Sequence, residues 1–269
     1  MLEALFLGIV QGLTEFLPIS SSAHIRIVGE FLPNATDPGA AFTAITQIGT
    51  ELAVLLYFRK DILNIARAWF KRDGSAEARL GNLIIIGTLP IVVLGYLGQE
   101  YITNHFRSLW VIASTLIIFG LILGFADRVG KSAKDLSNLS ARDGVIYGFA
   151  QSMALIPGVS RSGATIALGR FLGYKREAAL RYSFLLAVPA VFGSGFYELK
   201  QAMDDSTVSV YSMPEILAAT VTAFLIGYAV IAWLMKFIST KSFTPFVIYR
   251  VVLGSALLVA LATGLLSAQ

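Results

Sequence analysis

Of the chain's 269 residues, 56% are hydrophobic and 14% are charged, with 21 Lys and Arg against 17 Asp and Glu for a net charge of +4. With a mean hydropathy of +0.72, this composition excludes an ordinary soluble domain and reads as an integral membrane protein built as one bundle over residues 1–269. The absence of cysteine excludes disulfides, thiolate nucleophiles and thiolate metal sites, and the small net charge leaves no nucleic-acid partner to expect.

The chain is apolar from its first residues but lacks a basic leader region and an A-x-A-like cleavage site, so no cleaved signal peptide is expected. Its first apolar segment, about 5–28, is interrupted by QGLTEFLPISSSAH at 11–24. Apolar runs at 41–58, 82–98 and 109–126 then predict three spans. A second interrupted segment, about 145–172, carries QSMALIPGVSRSGAT at 151–165, and further runs at 182–199, 215–235 and 245–265 complete six spans. Neither half of an interrupted segment is long enough to cross, so both read as re-entrant helix-loop-helix hairpins. Irregular backbone at membrane depth needs protein or a wet cavity around it, which implies one shared polar chamber.

The two interruptions are diverged copies. Aligned on their glutamines, Ser20-Ser21-Ser22 falls on Ser160-Arg161-Ser162. Basic residues crowd two connections, with Arg59, Lys60, Arg67, Lys71, Arg72 and Arg79 in one and Arg128, Lys131, Lys134 and Arg142 in the other. Both are expected on the cytoplasmic side. The connections holding Arg107, and Lys200 beside Asp204 and Asp205, are expected outside, as are both termini. Three spans separate the hairpins, so they enter from opposite faces. The predicted fold class is therefore an all-α polytopic membrane protein, six transmembrane helices plus two re-entrant hairpins in an inverted-topology repeat. Pseudo-repeat one covers 1–126 and pseudo-repeat two 143–269, joined by the cytoplasmic loop 127–142.

In the first copy Gln11 and Glu15 are one helical turn apart and share a face. Ser20, Ser21, Ser22 and His24 follow, supplying hydroxyl, base and acid within about ten residues. Serines also cap broken helices, and for each serine alone that plain role weighs as much as a catalytic one. A Glu and a His at membrane depth are costly and point to function. The second copy supplies Gly158, Ser160, Arg161, Ser162, Gly163 and Thr165 around a helix start, the makings of an anion cradle with Arg161 as phosphate clamp. A structural ion pair between Arg161 and Glu15 is the simpler role for the arginine and is compatible with the clamp. Among other polar residues in the apolar segments, Gln47 and Glu51 share a face of the first span. Arg26 and Arg170 carry weaker weight, and Arg181 and Arg250 are expected to snorkel to the interface. His105 reads as interfacial, and Trp69, Tyr101 and Trp110 as an aromatic belt.

These two motifs, with YSFLLAVP at 182–189 and FTPFVIYR at 243–250, resemble the bacterial undecaprenyl-diphosphate phosphatase family of the BacA type over nearly the whole chain. The resemblance implies a multi-pass protein of the bacterial inner (plasma) membrane that hydrolyses a C55 polyprenyl diphosphate to the monophosphate carrier and inorganic phosphate. It implies a recycling role in peptidoglycan and envelope synthesis, and an effect on bacitracin sensitivity. Carried over by motif position, Glu15, Ser21, His24 and Arg161 are the expected catalytic residues, and Ser20, Ser22, Ser160, Ser162, Gly163 and Thr165 the expected phosphate-binding ones. A divalent cation, Mg²⁺ or Ca²⁺, is expected on Glu15, with Gln11 a further candidate ligand although many members have Glu there. Ala23 replaces a more usual Gly, and Glu51 is not a family position. The expected partners are the polyprenyl diphosphate and membrane lipids, with a homodimer as one option. Ser21 as nucleophile with His24 as base or relay, His24 as nucleophile, and activated water all remain open. An inverted-repeat transporter or lipid translocase for an anionic substrate is the competing class.

Overall fold

The computed structural model describes residues 1–33, 38–204 and 210–267, and among them the regular secondary structure is helical, joined by turns and irregular segments, apart from one isolated β-bridge, Lys134 to Tyr174. Asp205 lies outside the described residues, as do the side chains of Tyr101, His105 and Asp204. In chain order the helices are α1 (Leu2–Thr14), α2 (Ser21–Gly29), α3 (Gly39–Tyr57), α4 (Arg59–Lys71), α5 (Ala76–His105), α6 (Leu109–Val129), α7 (Ala141–Ser152), α8 (Arg161–Phe171), α9 (Arg176–Asp204), α10 (Met213–Ile238) and α11 (Thr244–Ala262).

Five of these, α5, α6, α9, α10 and α11, are each long and apolar enough to cross a bilayer. Helix α3 qualifies only together with α4, which leaves it at 81°. All six predicted spans are thus helices, though most run beyond the apolar window because helical hydrogen bonding continues into the polar flanks. The basic stretch after the first span is helical rather than a loop: α4 buries Ile65 and Ala68 against α5 and leaves its charges outward, an amphipathic pattern. Large apolar side chains such as Leu89, Val92, Leu121, Phe125, Leu225, Trp233, Val252 and Val259 remain exposed on the outer faces of the long helices. So continuous an apolar exterior belongs against lipid.

The predicted interruptions are real breaks, between α1 and α2 and between α7 and α8. Helix α1 packs on α10 and α7 on α5, so each broken pair lies against a long helix from the other half of the chain. Phe16 and Ile19 of the first break join Phe58, Leu123, Ile166, Phe184, Ile231 and Phe243 in the main core. The first break is therefore held in the main core.

Several charged residues anchor this frame. Arg170, fully buried, donates to Asp127 Oδ1 at 3.1 Å and to the Tyr174 and Gly130 carbonyls. Arg181 pairs with Asp61 of α4 at 2.7 Å while still partly exposed. Arg26 pairs with Glu30 one turn on. Arg250 departs from the expectation that it snorkels: it is wholly buried, because backbone carbonyls freed by the two breaks supply acceptors that the sequence does not advertise.

Candidate active site

Each break is made by the same local chemistry. A helix ends, a proline at 18 or 157 removes an amide donor, and a serine at positive φ starts the next helix: Ser20 at 74° caps α2 and Ser160 at 70° caps α8. A non-glycine residue held there costs about 1–3 kcal/mol, and such strain concentrates at functional sites. Gly158, at φ 89°, serves the second break doubly, since a Cβ there would stand 2.1 Å from Thr115 Oγ1. The hydroxyls repeat as well, with Ser20 and Ser22 Oγ at 3.2 Å and Ser160 and Ser162 Oγ at 3.2 Å. Two helix N-termini, with their positive dipole ends, thus arrive at one place. Ser162 Oγ joins them by donating to the Leu17 carbonyl at 3.2 Å.

Glu15 occupies the centre. Its Oε2 accepts from Gln11 Nε2 at 2.7 Å and from Ser21 Oγ at 2.5 Å. Its Oε1 accepts from Arg161 Nη2 at 2.6 Å. The predicted Gln11–Glu15 face and the Glu15–Arg161 pair are both present. The partner of the Ser21 hydroxyl is Glu15 rather than His24. His24 Nδ1 lies 2.7 Å from the Ser20 carbonyl, which can only accept, so Nδ1 carries the hydrogen and Nε2 of the neutral ring accepts from Tyr249 Oη at 2.7 Å. Tyr249 also stacks on the His24 ring at 5.5 Å between centroids. Glu15 does not orient His24.

Of the predicted phosphate-binding residues, Ser20, Ser22, Ser160, Ser162 and Gly163 lie at the two tips, where Gly163 N donates to Ser160 Oγ at 3.1 Å. Thr165 turns away, donating to the Arg161 carbonyl at 2.8 Å and meeting Ser183 of α9 at 2.5 Å. Three residues enter that sequence reasoning set aside or passed over. Glu51 of α3 is fully buried with Oε2 3.8 Å from Arg161 Nη2, and a small cavity is lined by Glu15, Glu51, Arg161 and Ser162 with Phe16 and Phe184. Its signal was an acid in mid-span. Arg250 carried the same kind of signal, while Tyr249 carried none.

The expected divalent cation can be tested against the donors. Among the described residues no three His, Cys, Asp or Glu side chains converge. A hard cation would instead find the Glu15 carboxylate, both Glu51 oxygens and Gln11 Oε1, the latter three buried without a hydrogen-bond partner. An all-oxygen set with few protein ligands suits Mg²⁺ or Ca²⁺, which complete their shells with water or phosphate oxygens.

The sequence model of the family described as bacitracin resistance protein BacA matches residues 4–256. A protein of Micrococcus luteus named undecaprenyl-diphosphatase is 60% identical, with 99% of each chain covered. One of the same name from Paenarthrobacter aurescens is 57% identical over 99% of each chain. A third, undecaprenyl-diphosphatase 2 of Agrobacterium fabrum, is 57% identical over 99% of this chain and 98% of its own length.

Proposed function

The chain belongs to the bacitracin resistance protein BacA family, and we propose that it acts as an undecaprenyl-diphosphatase, splitting the lipid diphosphate into undecaprenyl phosphate and inorganic phosphate. It is a multi-pass membrane enzyme, and bacitracin resistance goes with the family. The observation that carries the mechanism is that one carboxylate, Glu15, accepts from both the Ser21 hydroxyl and the Arg161 guanidinium. A transporter needs the arginine but has no use for a hydroxyl held against its base.

Ser21 Oγ attacks the terminal phosphorus, and Glu15 takes the hydroxyl proton. The new O–P bond forms as the bond from phosphorus to the bridging oxygen breaks, and the electron pair leaves on undecaprenyl phosphate. Water, deprotonated by the same carboxylate after it has shed the first proton, then hydrolyses the phosphoserine, releasing inorganic phosphate and restoring Ser21. Arg161 exchanges its bond to Glu15 for the phosphate oxygens, joined by the amides and hydroxyls at the starts of α2 and α8. His24, with Nε2 turned to Tyr249, relays protons at the edge of the site. A divalent cation on Glu15, Glu51 and Gln11 would neutralise diphosphate charge and polarise the phosphoryl group.

Three supports bear on topology: the matched breaks, the packing of each broken pair on the opposite half, and the loop charges. On that reading the breaks are re-entrant hairpins of an inverted repeat in the bacterial inner membrane, with both termini outside. The polar tips then lie within the bilayer, and the diphosphate enters sideways from lipid. The direct test is phosphate release from a long-chain polyprenyl diphosphate by the purified protein in detergent. Release that persists in a folded Ser21→Ala variant would rule out the serine as nucleophile, and no release by a wild type that binds the lipid would return the carrier reading to first place.

A further inference from the structure

The most heavily bonded side chain near the site is not one of the expected catalytic residues. Arg250 of α11 is wholly buried, and each of its three nitrogens donates to a backbone carbonyl. Nε donates to Leu116 at 3.1 Å, Nη1 to Pro18 at 3.1 Å, and Nη2 to Thr115, Gly158 and Val159 at 3.2, 2.9 and 3.1 Å. Among the described residues no ion pair places a carboxylate on Arg250. Neutral dipoles satisfy its hydrogen bonds without cancelling its charge, so a whole positive charge remains in a dry interior.

The acceptors are not scattered. Pro18, Gly158 and Val159 precede the positive-φ serines Ser20 and Ser160, so one guanidinium grips both breaks at the point where each turns into its second helix. Across a trans peptide the carbonyl and the next amide point in opposite directions. Holding the Val159 carbonyl on Arg250 therefore aims the Ser160 amide to the far side. Gly163, in the first turn of α8, lies so close that a Cβ would stand 2.9 Å from Nη1. The helix start is seated directly on the guanidinium.

On the diphosphatase reading, we infer that Arg250 is a positioning residue of the phosphate site: it fixes the two breaks in register, and its unneutralised charge, added to the N-termini of α2 and α8, is offset by the bound diphosphate. It acts through the backbone it holds, since all three of its nitrogens donate to carbonyls.

Arg250→Lys keeps the charge but replaces a five-donor fork with a compact ammonium that cannot reach the same carbonyls. Arg250→Gln removes the charge. Steady-state phosphate release by the folded, monodisperse variants should separate the two roles. For Lys, kcat falls about 10- to 100-fold, as expected for a misplaced site, with KM within about threefold. For Gln, KM for the diphosphate also rises about tenfold or more. A Lys variant with wild-type kcat overturns the register role, and a folded Gln variant with wild-type KM overturns the charge role. If Arg250 only stabilises the fold, the folded fraction shrinks while the surviving molecules keep wild-type kcat and KM, which overturns both. Should Gln not fold, the Lys kcat decides the register role and the KM of a folded Arg250→Met variant decides the charge role on the same criterion. A wild type that releases no phosphate sinks the diphosphatase reading instead, and the Kd for polyprenyl diphosphate on the same proteins then decides the charge: about tenfold weaker binding by Gln than by Lys is expected, and equal Kd overturns it.

Discussion

Glu15 and Arg161 are 146 residues apart in the chain and 2.6 Å apart in the fold. On the proposed mechanism, the guanidinium that would hold phosphate is the one engaged by the carboxylate that holds the Ser21 hydroxyl. On that reading substrate competes with Glu15 for Arg161, and the exchange leaves the carboxylate free to act as base.

Glu15→Gln separates the two duties. The amide keeps the shape and still meets Ser21, but it cannot take a proton. Phosphate release should fall about 10²- to 10⁴-fold in kcat, the usual worth of a general base. KM should stay level or drop, since Arg161 is no longer held back. A rise in KM with unchanged kcat would show that Glu15 serves binding alone.

Arg161→Lys retains a cation without the planar fork. The expected loss is about 10²-fold or more in kcat/KM, on the scale of removing one preorganised donor from a transition state. Kinetics on Arg161→Ala should be no better than on Lys. Equal activity of the Lys variant and wild type would remove the arginine from the phosphate site.

Tyr249→Phe deletes the hydroxyl that donates to His24 Nε2 while keeping the ring stacked on the imidazole. A relay through this pair predicts a fall in kcat of about tenfold, smaller than for His24→Ala and with unchanged thermal stability. A silent Tyr249→Phe variant would confine the tyrosine to packing.

Chelation tests the cation. EDTA should suppress phosphate release, and Mg²⁺ or Ca²⁺ should restore it. In Glu51→Gln, with one of the two carboxylates gone, the cation concentration for half-restoration should rise about tenfold or more. Release indifferent to EDTA would assign the buried Glu51 and Gln11 oxygens to some other duty.

Asp127 makes a stability prediction away from the chemistry. It accepts from Arg170 at 3.1 Å, from Arg176 at 2.6 Å and from the Phe243 amide at 3.1 Å, joining α6, α8, α9 and the start of α11. Asp127→Ala leaves Arg170 buried without its counterion, for an expected loss of about 3–5 kcal/mol. Thermal unfolding in detergent should show a lowered Tm, with substrate KM unchanged in the protein that remains folded.

How much of this was written in the chain depends on the range of the interaction. Proline at 18 and 157, runs of serine, and apolar stretches too short to cross after interruption are local signals, so both breaks, the helical spans and Gln11, Glu15 and Arg161 could be named from residues alone, while Ser21 was singled out from its neighbouring serines only by the family resemblance. The Glu15–Arg161 contact was legible because the copies diverged in a complementary way, one keeping the acid and the other gaining the base. What only the tertiary structure decided has acceptors or partners with no sequence signature. The backbone carbonyls that hold Arg250 belong to every residue alike. Tyr249 reaches His24 across 225 positions, and Glu51 meets Arg161 only because α3 packs beside the breaks. Local backbone chemistry therefore determined where the chain bends, while the burial of charge, which depends on what surrounds a side chain from every direction, was decided by the folded bundle.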